Sequence, residues 1–278
     1  MNIGIRLHDT VPGGIRERLR AARAQGFSCA HIALSKVIDG FTMNEAETLM
    51  TDRLAAEIND ALRENEMSCA VLGCYLMLAD PEPESRRRTQ GIYQAHLRFA
   101  GKIHAGVVGT ETYAPAGIDP RSEEAYRLFL EGLRPVVQCA EETGATLAVE
   151  PVYSHIISTP EKAERMLNDL PSDRLQIILD AVNLIAPEKA GEADAVIEDA
   201  IRRLGDRVRV LHMKDFTATD GKIQASACGT GTMHYGQLLD FVRERLLPMT
   251  LENTVPENAE AARLYLEKQS EKVRSGLS

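Results

Sequence analysis

The sequence is most informative at first for what it lacks. It contains no Cys-x-x-Cys, and its five cysteines (Cys29, Cys69, Cys74, Cys139 and Cys228) are an odd number scattered over 278 residues. A secreted disulfide scaffold is denser in cysteine and usually even, so reduced, mostly buried thiols in a cytoplasmic protein are expected. No apolar run approaches the roughly 18 residues that span a bilayer. The opening Met1-Asn2-Ile3-Gly4-Ile5-Arg6-Leu7-His8-Asp9 has neither the basic nor the apolar region of a secretory signal. No membrane partner is therefore expected. Positive charge is scarce as well: 32 Lys and Arg against 41 Asp and Glu give a formal charge of −9. That balance argues against a nucleic-acid partner, because phosphate binding is driven largely by Lys and Arg displacing counterions. No Gly-x-Gly-x-x-Gly follows the first apolar segment, which removes the sign of a dinucleotide fold. No linker rich in Pro, Gly or Ser divides the chain, so one domain over residues 1–278 is expected.

What remains is an ordinary globular composition, 44% hydrophobic and 26% charged, which excludes disordered and low-complexity classes. Short apolar runs alternate with amphipathic stretches from end to end. The runs predict strands at Ile3–Leu7, Ser28–Leu34, Met67–Leu72, Gly106–Thr110, Thr146–Glu150, Leu175–Asp180, Val208–His212 and Met249–Glu252. Between them, the pattern predicts helices at Ile15–Gln25 and after a capping box at Thr42-x-x-Glu45, where Ala46, Met50, Leu54, Ile58 and Leu62 recur at helical spacing. Further helices are predicted at Arg87–His104, from an Asp119-Pro120 start to Thr143, after Thr159-Pro160, at Glu192–Leu204, at Tyr235–Leu246, and at Glu257–Val273. Pro12-Gly13-Gly14 reads as a turn. Eight strictly alternating βα units imply parallel strands with right-handed crossovers, and in this length an α/β (β/α)8 TIM barrel.

Four polar residues close the last strands of the series. Leu147-Ala148-Val149 ends in Glu150, Gln176-Ile177-Ile178-Leu179 in Asp180, Val208-Arg209-Val210-Leu211 in His212, and Met249-Thr250-Leu251 in Glu252. The spacing is one βα unit each time, which sets all four on the rim that carries chemistry in such barrels. Three carboxylates and an imidazole brought together repel one another unless a cation sits between them. An oxygen-rich set with one nitrogen suits Mn²⁺, with Mg²⁺ or Co²⁺ as alternatives and Zn²⁺ less favoured without thiolates.

These segments also carry a resemblance. Thr146-Leu-Ala-Val-Glu150-Pro, Ile178-Leu-Asp180-Ala-Val-Asn183, Leu211-His212-Met-Lys214-Asp215, Gly229-Thr-Gly231 and Thr250-Leu-Glu252 follow the order and spacing of the xylose isomerase-like barrels, the sugar phosphate isomerase/epimerase family. The chain resembles that family over nearly its whole length. The resemblance implies one divalent metal held by Glu150, Asp180, His212 and Glu252. It also implies that Glu150 and Glu252 move protons at a sugar carbon, in epimerisation or isomerisation through an enediolate, with relatives often dimers or tetramers. At Asn183 the chain departs from those epimerases, which often carry histidine there; asparagine hydrogen-bonds a hydroxyl but carries no proton.

Lys214 is expected to contact a substrate oxygen or to pair with a rim acid. His8, at the tip of the first strand, is expected to touch substrate, and His155 and Tyr153 to cover it from the loop after Glu150. His31, within the second strand, is expected to be a satisfied core residue. Thr110 and Glu111 cap the fourth strand as weaker candidates, and Arg86-Arg87-Arg88 reads as a solvated helix face. Two rival activities share this frame: a metal-dependent dehydratase acting on an inosose or sugar acid, and an apurinic-site endonuclease. The endonuclease needs extra histidines, and the chain carries Gly73-Cys74, Gly109-Thr110 and Asn183 at the corresponding strand ends.

Overall fold

A computed structural model describes residues 1–275. In chain order the elements are β1 (Ile3–Arg6), α1 (Ile15–Ala24), β2 (Cys29–Ile32), α2 (Leu34–Val37), α3 (Ala46–Leu49), α4 (Asp52–Glu64), β3 (Ser68–Gly73) and α5 (Pro83–Lys102). They continue with β4 (Val107–Thr110), α6 (Glu123–Thr143), β5 (Leu147–Val149), α7 (Pro160–Asp169), β6 (Leu175–Asp180), α8 (Ala181–Leu184), α9 (Ala193–Leu204) and β7 (Val208–Met213). The last are β8 (Asp215–Thr219), β9 (Lys222–Ser226), α10 (Gly236–Arg245), β10 (Met249–Leu251) and α11 (Ala259–Arg274). Eight parallel strands close into a barrel in the order β1-β2-β3-β4-β5-β6-β7-β10. None of the described helices is long and apolar enough to cross a membrane.

Side chains alternate across each barrel strand, so the two faces serve two cores. The outward residues, such as Ile5, Ile32, Leu147, Leu179 and Leu211, pack under the helices in the main core. Cys29, Ala70, Val71, Val107, Ala148, Ile178 and Val210 form a separate plug inside the barrel, with consecutive Ala70 and Val71 both in it where the β2–β3 register shifts. Gly109 faces that plug: a Cβ there would lie 2.8 Å from Ile178 and Val71.

The chain adds short helices to the alternation after β2 (α2, α3) and β6 (α8), and adds strands in one place. After β7 it forms an antiparallel hairpin, β8 with β9, where one unbroken loop had been expected. Its turn is Asp220-Gly221, both at positive φ (52° and 70°), the combination that a two-residue hairpin turn requires. The carboxylate of buried Asp215 anchors the base by accepting from the backbone N–H groups of Phe216, Gly229 and Met233, each at 2.9 Å.

Three helix starts also differ from expectation. Thr42 and Glu45 do bond to each other, at 2.6 Å, but they frame a single 3-10 turn, Met43–Glu45. The long helix α4 starts later, capped by Thr51 Oγ1 accepting from Leu54 N–H. Asp119-Pro120 makes a turn instead of a cap, with Asp119 accepting from Arg121 and Ser122; Ser122 then caps α6. Helix α5 begins at Pro83 under a Glu82 cap, several residues before Arg87. Thr159-Pro160 opens α7 as the sequence suggests.

Candidate metal centre

The alternation that builds the plug also builds the site. Two positions beyond Ala148, Ile178 and Val210, on the same inward face, stand Glu150, Asp180 and His212. Glu252 stands two beyond buried Thr250. Register brings them level: Asp180 pairs with His212 across β6 and β7, and His212 with Thr250 across β7 and β10. The backbone of both glutamates is pinned just past its strand, Glu150 N–H to Thr110 O at 2.8 Å and Glu252 N–H to Met213 O at 3.0 Å.

His212 lies at the centre. Its Nδ1 is 3.0 Å from Glu150 Oε2 and 3.4 Å from Glu252 Oε1. Lys214 Nζ sits 2.8 Å from Asp180 Oδ2 and 3.4 Å from Glu252 Oε2, so it takes the ion-pair alternative. Asn183 donates its amide N–H to Glu150 Oε1 at 2.6 Å, and its backbone N–H to Asp180 Oδ1 at 3.1 Å.

Electrostatics follow from packing these charges out of water. Burial pushes Asp180 up, Lys214 pulls it back, and Glu150 and Glu252 push it up again, leaving it at about 6. Glu252 goes the other way: burial would raise it, but His212, Lys214 and Arg6 together hold it well below the usual carboxylate range. Burial opposes charge on His212, yet Glu252 and Glu150 outweigh that and lift it to about 9. The carboxylates thus favour positive charge at the position of His212, and a dication answers the same field.

The donors fit such an ion. Atoms from Glu150, Asp180 and His212 lie within 4.8 Å of one another, as do atoms from His31, His212 and Glu252. Neighbouring donors around an octahedral ion at about 2.1 Å stand roughly 3 Å apart, close to the 3.0 and 3.4 Å spacings at His212 Nδ1. Neither ring nitrogen of buried His212 has a hydrogen-bond partner among the described residues.

A cavity of about 310 Å³ opens beside Glu252, lined among others by Arg6, His8, His31, Tyr75 and Glu111. His8 lies on this wall, in the 3-10 turn after β1 instead of at the strand tip, and burial and Arg6 push it down to about 4. His155 is placed at Glu111, with Nδ1 3.4 Å from Oε2 and its ring against Tyr113. Burial and Glu150 raise Glu111 to about 7. Tyr153 lines a different cavity of about 550 Å³, with Arg121, Lys162 and Lys189. Thr110 is spoken for by the Tyr93 hydroxyl at 2.5 Å. Arg86 binds Asp80 O and pairs with Glu131 at 3.5 Å, while Arg87 and Arg88 are exposed.

The sequence reading passed over Arg6 and Tyr75. Arg6 Nη1 is 3.7 Å from Glu252 Oε2, and its inward position two residues after Gly4 was the available signal. Tyr75 lies beyond its strand in an irregular segment, where no periodicity announces direction.

A closed barrel with acids and a histidine gathered on its C-terminal rim defines a class of barrel enzyme-like proteins, and the chain belongs to one such family. It is a member of the xylose isomerase-like TIM barrels, whose family model matches residues 19–269. No curated protein matches the sequence. Among solved structures, it is similar to a 3-keto-D-glucoside 4-epimerase from E. coli, with 19% identity over 99% of both chains and a TM-score of 0.74. A D-tagatose 3-epimerase-like protein shares 16% identity over the full length of both chains, with a TM-score of 0.78. The IolI protein with a bound zinc atom shares 16% identity over 100% of this chain and 99% of that one, with a TM-score of 0.75.

Proposed function

We propose that the protein is a divalent-metal-dependent sugar isomerase or epimerase acting on a ketose or related polyol. The carrying observation is the placement of two buried carboxylates, Glu150 and Glu252, against His212 Nδ1, with the mouth cavity opening beside Glu252. Glu150, Asp180, His212 and Glu252 are the residues that would hold the ion, consistent with the zinc named in one structural relative. Such an ion supplies Lewis acidity that makes a C–H next to a carbonyl easier to ionise.

The chain's own groups then divide the work. Glu150, oriented by Asn183, removes the proton from the carbon, and Glu252 returns one from the opposite side. Transfer by both acids inverts the carbon; return by the same acid to the adjacent carbon would give aldose–ketose exchange. Lys214 holds positive charge between Asp180 and Glu252, where a developing oxyanion is stabilised. His8 borders the cavity and contacts the sugar hydroxyls, and His155 backs its Glu111 and Tyr113 wall.

The test is proton exchange. Incubation of the Mn²⁺-loaded protein with a panel of ketoses, inososes and hydroxy-keto acids in D₂O should place solvent deuterium at one carbon. Absence of incorporation with every compound overturns proton transfer. Loss of water to give an unsaturated product would reassign the reaction to a dehydratase, and full activity in Glu150→Gln would remove the assigned base.

A further inference from the structure

His31 departs from its expected role as a satisfied core residue. It stands two positions beyond Cys29 of the inner plug, in the same inward layer as the other rim residues. A register shift between β2 and β3 falls at Ala30/His31, the kind of irregularity that re-aims a side chain. The residue is 1% exposed. Nδ1 has no hydrogen-bond partner among the described residues, so His31 is not a satisfied core histidine. A buried polar atom left this way destabilises the fold unless something completes it.

The surroundings point to what completes it. Nδ1 is 3.9 Å from Glu252 Oε1, within the roughly 4.2 Å that two donors on opposite sides of an ion at about 2.1 Å span. The ring lies beside that of His212, with centroids 5.1 Å apart and planes 12° from parallel. At the far side, Nε2 is 3.2 Å from the Tyr75 hydroxyl. A ligating histidine characteristically donates its second N–H to such an oxygen, which fixes the tautomer and frees the other lone pair. Gly73 makes this arrangement possible: a Cβ there would lie 2.9 Å from His31 Nε2 and 2.8 Å from the Tyr75 ring.

We propose that His31 is a fifth donor to the divalent ion, adding a second imidazole to Glu150, Asp180, His212 and Glu252, and that it tilts this chain toward Zn²⁺ over Mn²⁺. The proposal rests on the metal reading of the site given above. Charge favours one five-donor ion over two ions. Three carboxylates against Lys214 and Arg6 leave one negative charge, which one dication already answers and a second would overload. Imidazole suits zinc, whereas carboxylate and water suit manganese and magnesium.

The metal-stripped protein, His31→Ala and Tyr75→Phe would be titrated calorimetrically with Zn²⁺ and with Mn²⁺, and their Co²⁺ forms compared by visible absorption. Wild type should bind one ion per chain, with Zn²⁺ tighter. His31→Ala should lose at least about tenfold in Zn²⁺ affinity, the range in which even indirect ligand support is felt, and change little for Mn²⁺. Its Co²⁺ spectrum should shift, with Tyr75→Phe showing a smaller loss in the same direction. An unchanged Zn²⁺/Mn²⁺ ratio and Co²⁺ spectrum in folded His31→Ala overturns the proposal. If that variant does not fold, the same null result in Tyr75→Phe overturns it. Wild type that binds no divalent ion refutes the metal reading itself, an outcome distinct from binding that ignores His31.

Discussion

At the residue scale, the shortest contact to a rim acid comes from a residue with no charge. Asn183 holds Glu150 Oε1 at 2.6 Å while its own backbone is held by Asp180, so one asparagine aligns two acids. Hydrogen bonds to a charged group are worth about 1.5–3 kcal/mol. Asn183→Ala should therefore lower kcat by roughly 10- to 100-fold through a loosened Glu150. Asn183→Asp should lose more, because it sets a second carboxylate against Glu150. Steady-state kinetics at matched metal content measure both; an unchanged kcat in Asn183→Ala would mean that the amide does not orient the base. The three rim acids and His212 were legible in the sequence because period-2 alternation carries straight from the plug to the strand end. The partner of Asn183 was not, since the position read equally well as a substrate contact and only packing decides which oxygen it meets. His31 was misjudged for a related reason: its inward direction was readable, but the missing partner of Nδ1 is a three-dimensional fact.

At the element scale, local signals proved reliable in kind and less so in position. Thr42 and Asp119 are good capping residues and both make the expected sort of bond, but Thr51 and Ser122 lie closer to the helices that pack on the barrel and so take the caps. The hairpin β8–β9 was visible as Asp220-Gly221 and was lost among the turn residues that follow β7. Helix α5 carries a pH-dependent liability that no sequence period reveals. His96 is fully buried, with Nδ1 on Ile92 O at 2.8 Å and Nε2 without a partner among the described residues. Burial pushes it down to about 4 from an ordinary 6.5. Between those values the unfolded chain binds a proton there that the folded chain refuses, so stability falls as pH drops from 6.5 toward 4. The contribution reaches about 3 kcal/mol at the acid end. His96→Gln should flatten that part of the profile, measured as the difference in Tm between variant and wild type from pH 7 to pH 4. A constant difference across that range would show that His96 does not carry the acid sensitivity.

At the scale of the whole molecule, the barrel stores an electrostatic problem at its mouth. Strand closure brings Glu150, Asp180 and Glu252 into one buried layer, and Lys214 answers only part of their charge. The elevated Asp180 shows that its ionised form is disfavoured in the metal-free fold. Because the site is assembled from β5, β6, β7 and β10, it exists only when the barrel is closed, so an ion that binds there binds the folded state and stabilises it by mass action. At a free concentration one hundred times Kd the gain is about 2.7 kcal/mol. For a chain of this length, that amounts to a rise of roughly 5–11 °C in Tm. Differential scanning calorimetry of the metal-stripped protein with and without Zn²⁺ or Mn²⁺ measures it, and EDTA should reverse it. Asp180→Asn should lose most of the rise, since it removes a charged donor, whereas a substitution at exposed Arg87 should keep it. A Tm indifferent to every divalent ion, or a rise that survives Asp180→Asn intact, would mean that the ion binds elsewhere and that the rim acids are balanced by the protein alone.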